Sequence, residues 1–273
     1  MPRARLIFTL LYAKGRFHLS RNFNLQAVGD LKWLLQAYEF ESIARAIDEL
    51  IILNVEREPT DPTEFIETVQ HLARGCFMPI AVGGGVRTLE QAEMLFNGGA
   101  DKIVLNSAYN DSPELVSRIV DAYGSQSVVA SIDFRRAPDD STSTFVECGG
   151  RRTELDVKGA LFRAVEVGAG EIYLTSIDRD GTGLGYDLSA LKQAYESCNL
   201  PVIASGGADT YDRLAEGIHS GYASAVATAH LFNFMGDGLT DARVGLIAEG
   251  ITLSKWDFST LHLSKQPQGR WQR

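Results

Sequence analysis

The feature that most constrains this chain is an internal duplication. The segment PIAVGGGVRTLEQAEMLFNGGADKIVLNSA, starting at Pro79, aligns without gaps with PVIASGGADTYDRLAEGIHSGYASAVATAH, starting at Pro201. ELIILNVERE from Glu49 aligns with EIYLTSIDRD from Glu171, and both pairs share an offset of 122 residues. Two separate segments with one offset mark a repeated structural unit. Short apolar runs alternate with amphipathic stretches throughout, the pattern of parallel β/α units. Strands are predicted over Arg5–Leu11, Glu49–Val55, Ile80–Gly83, Lys102–Asn106, Val128–Asp133, Glu171–Ser176, Val202–Ser205 and Ala225–Thr228. Asp30, Thr88 and Ser112 stand where helix N-caps are expected. Two equal four-unit halves close into a (β/α)8 TIM barrel more simply than they form an open doubly wound sheet. The length of 273 residues suits that fold. The expected division is a barrel over residues 1–250, with halves of about 1–122 and 123–250, and a C-terminal extension over 251–273.

Composition narrows the function class. A net charge of −9 offers no basic field to a nucleic acid, so no nucleic-acid partner is expected. No apolar run is long enough to span a membrane. The basic then apolar start, MPRARLIFTLLYAKGRF, lacks a small-residue cleavage site and reads as a first buried strand. Cys76, Cys148 and Cys198 are odd in number and widely spaced, matching neither a disulfide framework nor a zinc pattern. Reduced thiols in a cytoplasmic protein are expected, and nothing calls for a metal or organic cofactor.

Each half carries a glycine turn after its third strand, Gly83-Gly84-Gly85 and Gly206-Gly207, and ends its fourth strand on small groups, Asn106-Ser107 and Thr228-Ala229. Glycine lets backbone N–H groups approach an anion closely. In a parallel barrel all strand C-termini share one face, so each turn and strand end become neighbours there. Two such cradles at one offset suit a small molecule phosphorylated at both ends. At the same face the fifth strand ends on Asp133, between Ile132 and Phe134, where desolvation favours acid–base work. The sixth strand runs into TSIDRDGTG, which supplies Thr175, Ser176, Asp178, Asp180 and Thr182 to a candidate ligand loop. Superposing the halves shows an asymmetry. The mate of Asp133 is Leu11, that of Ser176 is Asn54, and that of Asp178 is Glu56. An opposed pair of acids is thus broken at Leu11.

RLIFTLL…GR…NF…VGD, VGGGVRTLEQAE…GADKIVLN, GSQSVVASID, GAGEIYLTSIDRDGT and PVIASGGA resemble HisF, the cyclase subunit of imidazole glycerol phosphate synthase. The resemblance runs from about Arg5 to about Phe232. It implies the same two-half barrel, with a HisH-like glutaminase docked at the barrel's N-terminal face. Ammonia from that partner would pass through the barrel to a bisphosphorylated ribonucleotide at the other face, giving imidazole glycerol phosphate and AICAR. It places phosphate-binding groups on Gly85, Asn106, Ser107, Gly181, Gly207, Thr228 and Ala229, and the second acid on Asp133. The first acid falls on Leu11, the closing loop lysine on Leu19, and the strand-two aspartate on Asn54. The charged gate at the ammonia entrance falls on Arg5, Glu49, Lys102 and Glu171, and all four match. A gate kept beside a damaged cyclase site resembles the HisF-like branch found with surface-polysaccharide genes. That branch is similar to partners of a HisH-like glutaminase and a separate sugar amidotransferase in acetamidino-sugar synthesis. The alternative is a working cyclase of histidine biosynthesis that uses Asp133 with a substitute acid such as Glu56 or Asp178.

Overall fold

The structure, a computed structural model, describes residues 3–38, 43, 45–58 and 61–254. Eight parallel strands close into a barrel: β1 (Arg5–Ala13), β4 (Glu49–Asn54), β5 (Ile80–Gly83), β6 (Lys102–Leu105), β7 (Val128–Arg136), β10 (Glu171–Ser176), β11 (Val202–Ser205) and β12 (Ala225–Thr228). Closure is made by β12 against β1, with Arg5 opposite Ala225 and Phe8 opposite Thr228. The register along β1 shows how the period of two sorts the side chains. Leu6, Phe8 and Leu10 join the large cluster packed under the helices, whereas Ile7 joins a smaller one inside the barrel. Ile51, Ala81, Val129, Tyr173, Ile203 and Ala225 belong to that inner cluster, so the bore is filled and not a wide pore.

Helices cover the outside. Thr88 caps the helix Leu89–Asn97 with a complete capping box to Gln91. Asp30 accepts the N–H of Trp33 and so starts Leu31–Ala37. Ser112 makes no side-chain cap, contrary to expectation; Pro113, which needs no N–H partner, opens that helix instead. The other departure is two hairpins at the barrel mouth. β1 continues past Leu11 into β2 (Arg16–Arg21) through a two-residue turn, Lys14-Gly15, with both residues at positive φ. β2 then pairs with β3 (Asn24–Gly29). Similarly β7 continues past Asp133 to Arg136 and pairs with β8 (Thr142–Val146), which carries the short β9 (Arg151–Arg152).

The end of the described chain is tied to the barrel floor. Leu253 bridges Ala4, and residues 255–273 of the expected extension lie outside the described residues. None of the described helices is long and apolar enough to cross a membrane, and all three cysteines are unpaired. Next to the floor, buried Arg243 holds Asp48 through two contacts of 3.1 Å and also donates to the carbonyls of Ala46 and Ser254. Asp48 in turn accepts the N–H of Leu6 at 2.8 Å. Removing one partner leaves the other charge buried and unpaired. Arg243→Met is therefore expected to lower unfolding stability by about 3–5 kcal/mol in chemical denaturation. A loss below about 1 kcal/mol, the size of an exposed pair, would contradict this.

Candidate functional site

The two ends of the barrel are chemically different. At the N-terminal end of the strands, four inward side chains form a closed ring of charge. Arg5 reaches Glu49 at 2.7 Å and also bonds Glu171. Lys102 reaches Glu49 and Glu171, each at 2.9 Å. Each carboxylate therefore bridges both cations, and each cation both carboxylates. The four residues sit at or beside the first residue of β1, β4, β6 and β10, and Glu49 and Glu171 are repeat mates. Burial opposes the Arg5 charge, yet Glu171 and Glu49 together hold its pKa above the ordinary value. Burial also pushes the Glu49 carboxyl up, opposed by Lys102, while Glu171 adds repulsion and Arg5 attraction.

At the opposite end lies a cleft of about 350 Å³ lined in part by Leu11, Leu53, Asn54, Asn106, Ser107 and Asp133. Leu11 and Asp133 come from β1 and β7, four strands apart in either direction around the barrel. Asp133 is only 8% exposed. It accepts hydrogen bonds from Asn106 Nδ2 at 3.2 Å and Ser131 Oγ at 3.3 Å. Burial pushes its carboxyl up to about 7; the Ser131 bond opposes this and the charge of Asp180 adds to it. A group poised there can hold or release a proton near neutrality.

The structure separates the acids of the loop after β10. Asp180 lines the cleft, and its carboxyl is raised by burial against the opposing bonds from Ser20 Oγ (2.5 Å) and the Phe23 N–H (3.1 Å). Through it, with Asn22 donating to the carbonyls of Ile177 and Asp178, the β2–β3 hairpin is fastened across the mouth. Asp178 lies outside the cleft lining and accepts from Arg135 at 3.2 Å and the Arg136 N–H at 2.8 Å. Glu56 lines the cleft but accepts the Lys14 N–H at 2.8 Å, holding the start of the hairpin. Thr175 lines the cleft, and its buried hydroxyl has no hydrogen-bond partner among the described residues. Ser176 is buried outside the lining.

The two glycine turns also differ. In the first, Gly84 and Gly85 both have positive φ; a Cβ on Gly84 would meet the Asn54 carbonyl at 2.0 Å, whereas one on Gly85 would meet open space. Gly85, Asn106 and Ser107 all face the cleft. In the second, a Cβ on Gly207 would meet the Gly185 carbonyl at 2.3 Å, and one on Gly181 the Ser20 carbonyl at 2.1 Å. Thr228 spends its hydroxyl on the Ala208 carbonyl at 2.8 Å, and of this second set Ala229 reaches the cleft lining. The first cradle is thus open and the second is packed beneath its own loop and the hairpin.

A family model described as Histidine biosynthesis protein matches residues 21–236. A Parasynechococcus marenigrum protein, provisionally named imidazole glycerol phosphate synthase subunit hisF2, is 40% identical over 257 residues, covering 94% of this chain and 95% of that one. The imidazole glycerol phosphate synthase subunit HisF of Hyphomonas neptunium is 40% identical over 251 residues, 92% of this chain and 98% of its own. The Caulobacter vibrioides HisF is 37% identical over 253 residues, covering 92% and 96%. The chain belongs to the HisF family.

Sequence reasoning about this HisF-family chain missed Ser20, Asn22 and Phe23, which the hairpin brings to the mouth; the Lys14-Gly15 turn was the available signal. It also missed Ser131, which strand alternation places two residues before Asp133 on the same inward face. Because the folded pKa of Asp133 lies above the ordinary carboxylate value, its protonation contributes stability that is complete at low pH and lost as pH rises through about 7. Asp133→Asn is therefore expected to exceed the parent in stability at about pH 8 by on the order of 4 kcal/mol. The two proteins should converge near about pH 4 in thermal denaturation. A difference independent of pH would refute the raised pKa.

Proposed function

We propose that this HisF-type chain is the ammonia-receiving barrel of a glutamine amidotransferase assembly and that it no longer cyclises a ribonucleotide. The observation that carries the reading is Leu11: it lines the cleft from the strand opposite Asp133, at the position where an opposed acid would stand. An isobutyl group cannot take up or deliver a proton, so acid–base work shared across the mouth has one participant. Leu19 on β2 and Asn54 on β4 are the other substitutions in the expected cyclase set. Asn54 turns its side-chain carbonyl onto the N–H of Glu56 at 3.0 Å.

The opposite end supports retention of the delivery half. Burying the Glu49 and Glu171 carboxylates has a large desolvation cost, and pairing each with both Arg5 and Lys102 is what makes it tolerable. A HisH-like glutaminase fits that face, with ammonia entering past Arg5, Glu49, Lys102 and Glu171. The open cradle at Gly85, Asn106 and Ser107 suits a phosphorylated small molecule, through free backbone N–H groups and side-chain donors. The nitrogen acceptor in this reading is a sugar precursor of surface polysaccharide, handed on by a separate sugar amidotransferase to give an acetamidino sugar. The second reading is a true cyclase subunit of histidine biosynthesis. It is favoured by 37–40% identity to proteins named HisF and by an Asp133 carboxyl near 7. Of the two substitute acids expected for it, Glu56 lines the cleft and Asp178 does not, while Asp180 lines it as well.

Expression in a histidine auxotroph that lacks its own HisF separates the two. The proposal expects no growth without histidine, while growth at the wild-type rate would overturn it. In the glutaminase complex, Glu49→Ala and Lys102→Ala are each expected to raise the glutamine hydrolysed per nitrogen transferred several-fold. Unchanged coupling in both variants would remove the ring from the ammonia route.

A further inference from the structure

Between the charged ring and the cleft the bore is lined by aliphatic side chains, with one exception among the described residues of the inner cluster. That exception is Tyr173. Its repeat mate is Ile51, so the duplication marks this position as one where the second half departs from the first. Tyr173 is 4% exposed and belongs to the lining of the cleft floor together with Ser205. Its hydroxyl accepts from Ser205 Oγ at 2.8 Å and lies 3.2 Å from Thr9 Oγ1. Ser205 is on the adjacent strand β11, but Thr9 is on β1, three strands around the barrel. The phenol therefore spans the bore instead of lying along its wall. Burial pushes its pKa up to about 12, so it acts as a neutral donor and acceptor.

We infer that Tyr173 is an internal gate: its ring closes the bore between the charged ring and the cleft, and its hydroxyl is latched by Thr9 and Ser205. The strand register fixes the order of the layers. Ala225 pairs with the ring residue Arg5, whereas Tyr173 stands two residues beyond the ring residue Glu171, towards the mouth. Thr9 stands four residues further along β1, towards the mouth. A small neutral solute travelling between these levels must displace the phenol, and displacement breaks its two hydrogen bonds. That the solute is ammonia rests on the function proposed above; the division of the bore does not.

The test uses the free, full-length chain and a slim neutral thiol reagent, methylmercury chloride, followed by mass spectrometry. Ala225→Cys places a thiol beneath the gate, with Cys76→Ser and Cys198→Ser removing other sites. Cys148, which lines the cleft, stays as the control for reagent reaching the mouth. With Tyr173 in place the introduced thiol is expected to react slowly. Tyr173→Phe, which keeps the ring but removes the latch, should speed the reaction about tenfold, the loss of two modest buried hydrogen bonds. Tyr173→Ala should speed it further, and Cys148 should react at one rate throughout. Equal rates at the introduced thiol with Tyr173 or Tyr173→Ala would overturn the gate. A Tyr173→Phe rate equal to the parent's would overturn the latch. Neither readout needs the glutaminase or an acceptor, so failure of nitrogen transfer in the complex and failure of the gate are separate results.

Discussion

Closing eight parallel strands into one barrel forces every inward side chain to share a single narrow bore, and each must be matched by something across it. The charged ring shows what this demands. Glu49 and Glu171 are buried while Arg5 and Lys102 are about one fifth exposed, and the four are compatible because two acids and two bases alternate in mutual contact. Exchanging any one for an apolar residue leaves the net charge of the ring uncompensated, which is why the ring behaves as a unit. The same constraint makes Tyr173 consequential. On an open sheet its hydroxyl would point into solvent, but in a closed barrel it reaches a strand three places around the wall.

The duplication separates what the barrel needs from what the site needs. Repeat mates that agree are structural or sit at the ring: Glu49 with Glu171, and Gly84 with Gly206, each turning the chain at positive φ where a side chain would strike the neighbouring strand's backbone. Three pairs that differ lie at the mouth and in the bore. Leu11 faces Asp133, Leu53 corresponds to Thr175, and Ile51 to Tyr173. In each case the polar member lies in the second half. At these pairs β7 and β10 supply the polar groups, while β1 and β4 supply an apolar wall of Leu11 and Leu53. Burial raises the Asp133 pKa, and that wall supplies no partner acid.

Much of this was legible in the sequence because it rests on short-range patterns. The eight strands appear as apolar runs; the ring residues followed from the resemblance to HisF, and the offset related only Glu49 to Glu171. The hairpins were less legible: RFHLSR and NLQAVG are half-exposed and lack clean alternation, so the turn at Lys14-Gly15 was their main signature. Asp178 and Asp180 could not be told apart from LTSIDRDGT, because the chain turns at Ile177 and the direction of that turn decides which acid faces the bore. The structure aims Asp180 inward, under Ser20, and Asp178 outward, against Arg135. Tyr173 could be placed on the inward face by counting, but its reach to Thr9 depends on barrel closure and has no local signature.

The central claim is that delivery was kept and cyclisation lost. It is tested most directly by supplying ammonium salt as the nitrogen source, so that no glutaminase or bore is required, and following turnover of the bisphosphorylated aminoimidazole-carboxamide ribonucleotide by the isolated chain. With Leu11 opposite Asp133, no imidazole glycerol phosphate should form above the background without protein. Turnover at the rate of a HisF cyclase assayed beside it would contradict the account and return the chain to histidine biosynthesis.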